Sequence, residues 1–258
     1  MRNVVIAAAA VIAVSSLALR PTIAQAPAGS ASAYKGPRTA DGKPNLNGIW
    51  QAFSTAHWNL EAHSAEDGVP AGQGVVDGSE IPYQPSALAK RKENFEKRMT
   101  ADPLTNCHLP GVPRITYIPF PFQIVQTPKY VSMLYEYSNV TRIIYTDGSP
   151  HPPPLDLWMG DSRGRWDGDT LVVDVTQFND RTWFDKAGNF HSDALHVIER
   201  YTPIGPDHVR YEATIEDPKV FTRPWKMNIL LYRRLENNLQ ILDYACVDFV
   251  QQRRLTGK

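Results

Sequence analysis

The chain has 258 residues, with 27 Lys and Arg against 27 Asp and Glu and a formal net charge of zero. Acids and bases are interspersed, which argues against nucleic acid and acidic lipid surfaces as partners, since both select clustered positive charge. No Walker loop or dinucleotide fingerprint is present, so no nucleotide or other cofactor is predicted.

The N-terminus carries Arg2, an alanine-rich apolar run over 4–19, and Ala24-Gln25-Ala26 before Pro27. This order matches a secretory signal over 1–26 with a small-residue cleavage site, rather than a retained anchor helix, and predicts a periplasmic or secreted protein. No later segment is apolar enough to span a bilayer. Residues 27–44 are small and polar and read as a flexible leader. The remainder, 45–258, fits one β domain, because barrels and sandwiches of that length are routinely single domains.

Within that domain, Asn45-Leu46-Asn47-Gly48-Ile49-Trp50 signals a first short strand. An insertion near 57–102 follows. Its first part, 57–81, lacks periodicity and reads as an irregular loop. A helix then starts at Pro85-Ser86, with Leu88, Phe95 and Met99 on one stripe and Lys90, Arg91, Lys92, Glu93, Lys97 and Arg98 toward water, and Pro103 ends it. Proline clusters at 103–121 and 150–154 mark extended connections. From 122 onward, strands are predicted over 122–126, 130–137, 141–146, 158–166, 170–176, 194–201, 209–216, 225–234 and 239–249. Turn chemistry separates many of them, including Ser138-Asn139, Asp167-Gly168 and Asn237-Asn238. The predicted fold class is all-β: an antiparallel up-and-down barrel or a sandwich, with one N-terminal helix. An exported chain with two cysteines most often joins them, so Cys107 and Cys246 are expected to form a disulfide closing a loop of about 140 residues.

Several strings carry a resemblance. Residues 41–50 and 110–114, then Gly160-Asp161-Ser162-Arg163-Gly164-Arg165-Trp166, 167–174 and Phe190-His191-Ser192-Asp193-Ala194-Leu195-His196, running on to Arg200, resemble an uncharacterised family of exported bacterial proteins. That resemblance implies export and a β fold, and no chemistry. The Gly48-x-Trp50 element is similar to the first strand of lipocalin-like (calycin) barrels. There the indole plugs one end of the barrel and packs on an arginine near the last strand, a part that Arg253 or Arg254 would play.

Candidate chemistry follows from strand phase, because alternate side chains point the same way. Glu199 is in phase with Leu195, Val197 and Tyr201, and Asp243 with Ile241, Ala245 and Val247, so both carboxylates are expected inside. An interior carboxylate needs a partner or a function. Either Arg142 or Arg233 neutralises it, or it serves as an acid or base with a raised pKa lining a cavity. His191 and Asp193 form either an oriented acid/base pair or a capped turn. Asp161 and Arg163 offer either a polar ligand contact or a surface ion pair. The histidines His57, His63, His108 and His151 fit no compact zinc signature, and no metal is predicted.

Three functions fit these observations. The first is an exported barrel binding a small apolar or amphipathic molecule, lined by aromatics such as Tyr130, Tyr135, Tyr137, Tyr211, Trp225 and Tyr232, with Arg142, Asp161 and Arg163 as polar contacts. The second is a cofactor-independent lyase, isomerase or hydrolase using His191, Asp193, Glu199 and Asp243. The third is an envelope interaction module. Oligomeric state is not legible.

Overall fold

The computed structural model describes residues 34–66 and 68–256. Its elements run β1 (Gly48–Phe53), α1 (Pro85–Glu96), α2 (Arg98–Ala101), β2 (Phe122–Gln126), β3 (Tyr130–Tyr135), β4 (Thr141–Tyr145), β5 (Asp161–Asp167), β6 (Thr170–Thr176), β7 (His196–Gly205), β8 (His208–Glu216), β9 (Trp225–Arg233) and α3 (Cys246–Thr256). The nine strands form one closed barrel in sequence order, and β9 returns to pair with β1. The predicted signal segment, 1–26, lies outside the described residues, as do residues 27–33 of the leader. Residues 34–44 are held against the tip of the β5–β6 hairpin, where Arg38 pairs with Asp169 at 2.7 Å and the Tyr34 amide donates to the same carboxylate.

Alternation builds the wall. In β7, Val197, Glu199, Tyr201 and Pro203 are buried, while His196, Ile198 and Arg200 face outward. In β8, Val209, Tyr211, Ala213 and Ile215 point inward, as do Trp225, Met227, Ile229 and Leu231 in β9. The β3–β4 turn is tight because Ser138 and Asn139 both adopt left-handed backbone, at φ 54° and 53°, the geometry that matches strand twist in a hairpin.

Four expectations need correction. The barrel is not purely antiparallel: β4 and β5 run parallel, through Ile144 opposite Ser162 and Tyr145 opposite Arg163. The proline-rich connection between them returns the chain to its starting end before β5 begins. The predicted strand at 239–249 is a loop followed by α3, because β9 already pairs with β1 and leaves no open edge for a further strand. Asp243 is therefore outside the barrel. The predicted helical stripe is also misplaced: Leu88 and Met99 are exposed, and α1 buries Ala87 and Asn94, whose amide donates to the Gly188 carbonyl at 3.2 Å. Finally, Arg233 of β9, not a residue beyond it, lies over the Trp50 ring, 4.3 Å from its centroid. The side chains of Arg253 and Arg254 lie outside the described residues.

The expected disulfide between Cys107 and Cys246 is present, with a Cα–Cα distance of 5.6 Å. It ties α3 to the segment that precedes β2. Among the described residues, no helix is long and apolar enough to cross a membrane.

Candidate functional site

The inside of the barrel is occupied by a closed polar network. Arg142 from β4 donates from both guanidinium ends to Glu199 of β7, at 3.1 Å to Oε1 and in a close contact to Oε2. Its Nε donates to Ser162 Oγ at 3.0 Å, and the hydroxyls of Tyr201 and Tyr211 donate to Glu199 Oε1 at 3.0 and 2.8 Å. Glu199 and Tyr211 expose none of their surface, so neither borders a space that a water molecule could enter. Burial opposes the Arg142 charge, but the Glu199 carboxylate outweighs it and holds the guanidinium pKa well above its ordinary value. Burial first, then the Glu199 charge, pushes both phenols far up, so they remain donors. Tyr135, also buried, turns its hydroxyl to Met133 Sδ at 3.1 Å.

The other predicted acid/base groups do not join Glu199. His191 is buried against Phe178 and Phe184. Its Nδ1 lies 2.9 Å from the Ser192 carbonyl and its Nε2 lies 2.6 Å from Thr182 Oγ1. Burial lowers its pKa, so the ring is neutral, donating from Nδ1 and accepting at Nε2. Asp193 is exposed and pairs with Lys219 at 2.6 Å, so it does not orient His191. The strand phase fails here because Asp217 captures the Ser192 amide and hydroxyl, holding these residues as a loop ahead of β7. Asp243 accepts from the Asn139 amide at 2.6 Å on the surface. Trp225 packs edge-on against Phe184 and Phe221.

Asp161 and Arg163 face outward and pair at 2.6 Å, with the guanidinium over the Tyr145 ring. They begin a ladder that sequence reasoning missed. His151 contacts Asp161 at 2.6 Å and Asp174 at 3.1 Å, while His196 contacts the same Asp174 oxygen at 3.3 Å and Glu216 at 3.0 Å. His151 comes from the irregular 146–160 connection, so no periodicity points to it.

A cavity of about 200 Å³ lies at one end of the barrel, lined by His57, Asp102, Phe120, Tyr137, Lys186, Tyr244 and Cys246 among others. Strand direction explains the location: β1 ends, β2 begins and β3 ends on this side, which places His57, Phe120 and Tyr137 just beyond the wall. The segment after β9 closes over them. Tyr244 stacks on Phe120 at 5.0 Å, the Leu242 amide donates to Glu136, and the disulfide fixes Cys246.

Two buried carboxylates hold the loops of this site. Asp102 accepts two parallel bonds from Arg114, both at 2.8 Å, and one from the Leu104 amide. Asp185 accepts from the Leu60 amide at 2.9 Å and from the backbone and side-chain amides of Asn189 at 3.1 and 2.6 Å. It thereby fastens the loop carrying His57 to the loop carrying Lys186. Burial, only partly offset by these bonds, raises the Asp185 pKa to about 6.

The polar groups facing the cavity are chiefly donors. Burial, then the charges of Arg114 and Lys186, depress the His57 pKa well below its ordinary value. Its Nδ1 is buried without a hydrogen-bond partner. Unpaired buried N–H groups are rarer than under-satisfied acceptors, so the proton belongs on Nε2. Burial pushes the Tyr137 phenol up to about 12. Lys186 ion-pairs with no carboxylate among the described residues. Beyond Lys186 lies a second cavity of about 230 Å³, lined by Trp58, His63, Phe95 and Arg98 among others.

The chain matches no protein-family model and no curated protein. Its chemistry is therefore read from its own atoms: an aromatic wall, an unpaired ammonium and a neutral imidazole around a small space. Sequence reasoning singled out the interior because strand phase is legible there. It missed Lys186, Phe120 and Tyr244 because they sit on loops, where only three-dimensional closure brings them together.

Proposed function

We propose that this protein is an exported small-molecule binding barrel whose ligand occupies the end cavity and not the barrel interior. One observation carries the choice of site. Lys186, which ion-pairs with no carboxylate among the described residues, lines the same cavity as Phe120, Tyr137 and Tyr244, whereas Glu199 is paired with Arg142 and accepts from two tyrosines. A concave apolar surface with a few convergent polar groups is the usual form of a ligand site. Export is supported by the N-terminal signal pattern and by the disulfide, which persists in oxidising compartments. Kinship with the exported family that the motifs resemble belongs to the same reading. The lipocalin-like reading draws support from Trp50 packed under Arg233. An acid/base enzyme would need its groups to share a space, and His191, Asp193, Glu199 and Asp243 occupy four separate surroundings.

The test is a thermal-shift and native mass-spectrometry screen of the mature, oxidised protein against small apolar and amphipathic compounds. A retained, unchanged compound that raises the melting temperature is expected, with the effect lost in Tyr244→Ala. A compound still retained by Tyr244→Ala but lost in Tyr211→Phe would move the site into the barrel. Chemical conversion of the compound would replace binding with catalysis.

A further inference from the structure

We propose, building on the end cavity as the binding site, that its ligand is a small planar monocarboxylate. Its carboxylate would sit on Lys186 and His57, and its conjugated or aromatic face would lie against Phe120, Tyr137 and Tyr244.

Charge decides the polar end. The carboxylate lining the cavity, Asp102, has both oxygens taken by Arg114 at 2.8 Å, so it offers an incoming cation nothing. Lys186 remains, and in a partly buried site an unpaired ammonium attracts an anion far more strongly than it would in water. His57 adds a neutral donor at Nε2, since its Nδ1 is buried without a partner. The Tyr137 hydroxyl stays protonated across the neutral range. Acceptor chemistry is therefore what the ligand must bring. A single unanswered cation suits a monoanion, whereas a dianion such as phosphate or sulfate would leave one charge uncompensated. A quaternary ammonium, which aromatic walls otherwise favour, is repelled by Lys186.

Shape decides the other end. Phe120, Tyr137 and Tyr244 pack on one another with centroids 5.0 to 5.9 Å apart and planes inclined by 29° to 56°, so they present a faceted aromatic wall against which a single ring can pack. The space is about 200 Å³. A dry cavity of about 150 Å³ accepts benzene, so this one has room for a single ring with one small polar group.

The experiment uses the mature protein with its disulfide intact and three probes: benzoate, the neutral isostere benzamide, and acetate. Binding is followed by titration of the cavity aromatics in NMR spectra. Benzoate is expected to bind at least about tenfold more tightly than benzamide, the size of one charge-assisted hydrogen bond, and acetate more weakly than either. Lys186→Met should weaken benzoate far more than benzamide and so remove the preference between them. Equal binding of benzoate and benzamide, or a preference that survives Lys186→Met, would overturn the ligand class while leaving the cavity as the site. No perturbation of the cavity aromatics by any probe would overturn both. If Lys186→Met lowers the melting temperature, Lys186→Arg supplies the control, since it keeps the charge and should keep the preference.

Discussion

Arg142 and Glu199 show at the residue scale how a charge pair is tolerated inside a barrel. Each is nearly or wholly buried; Arg142 donates to both Glu199 oxygens and to Ser162, and Glu199 also accepts from the Tyr201 and Tyr211 hydroxyls. Removing one partner strands the other, at a cost of about 3–5 kcal/mol. Arg142→Met and Glu199→Gln are each expected to lose that much in urea unfolding, and the double variant less than the sum. Single losses below about 1 kcal/mol would show that the network is not tight. Asp185 behaves differently because its donors are amides and not cations. Its folded pKa, raised from 3.8 to about 6, lies above its unfolded value, so the native state holds a proton that the unfolded chain has released. As pH rises from about 4 to about 6 the parent loses stability from this group, on the order of 3 kcal/mol, and above that window the loss is constant. Asp185→Asn cannot titrate. It should be less stable than the parent at pH 4, and the gap should narrow by pH 7. A gap that stays constant with pH would refute the assignment.

At the element scale, the segment after β9 shows where reading by period runs out. Leu239, Ile241, Asp243, Ala245 and Val247 alternate as a strand does, yet a strand needs an edge to pair with, and β1 has already taken the β9 edge. Two residues of this segment serve the cavity instead, Tyr244 as part of its aromatic wall and Cys246 as its disulfide attachment. The cysteine pairing was legible from the count and the signal-like N-terminal pattern, but the consequence that it closes a cavity was not. The helix stripe failed for a related reason: α1 packs on a loop with Asn94 over Gly188, and a polar contact of that kind leaves no hydrophobic period. Cys107→Ser with Cys246→Ser should keep the barrel's far-UV spectrum while lowering the unfolding midpoint. The lost cross-link spans 139 residues, which corresponds to about 5 kcal/mol of chain entropy in the unfolded state. Limited proteolysis should then cut within 235–256, and binding in the end cavity should weaken. An unchanged digestion pattern would mean that the aromatic contacts alone hold this segment.

At the scale of the whole molecule, the fold was legible to the extent that its strands pair with sequence neighbours. The β5–β6 and β7–β8 hairpins follow from alternation and turn residues, and Glu199 was placed inward by phase alone. The parallel β4–β5 seam was not legible, because its direction is set by a proline-rich connection with no period of its own. Closure depends on β1 meeting β9, and one glycine makes room for the contact that caps it. Gly48 has φ +129°, and a Cβ there would collide with the Arg233 guanidinium. Arg233 uses that space to donate to the Asn47 carbonyl while lying over Trp50, whose indole donates to the Leu46 carbonyl at 2.8 Å. The Gly-x-Trp spacing thus has a mechanical meaning: the glycine admits the arginine that covers the tryptophan. Gly48→Ala should therefore displace the guanidinium and destabilise the barrel beyond the roughly 1–2 kcal/mol of left-handed backbone strain. In an Arg233→Ala background, where the space is empty, the same change should cost only that strain. Chemical denaturation of the four proteins measures the coupling directly. If Gly48→Ala costs the same in both backgrounds, the glycine serves its own backbone and not the arginine.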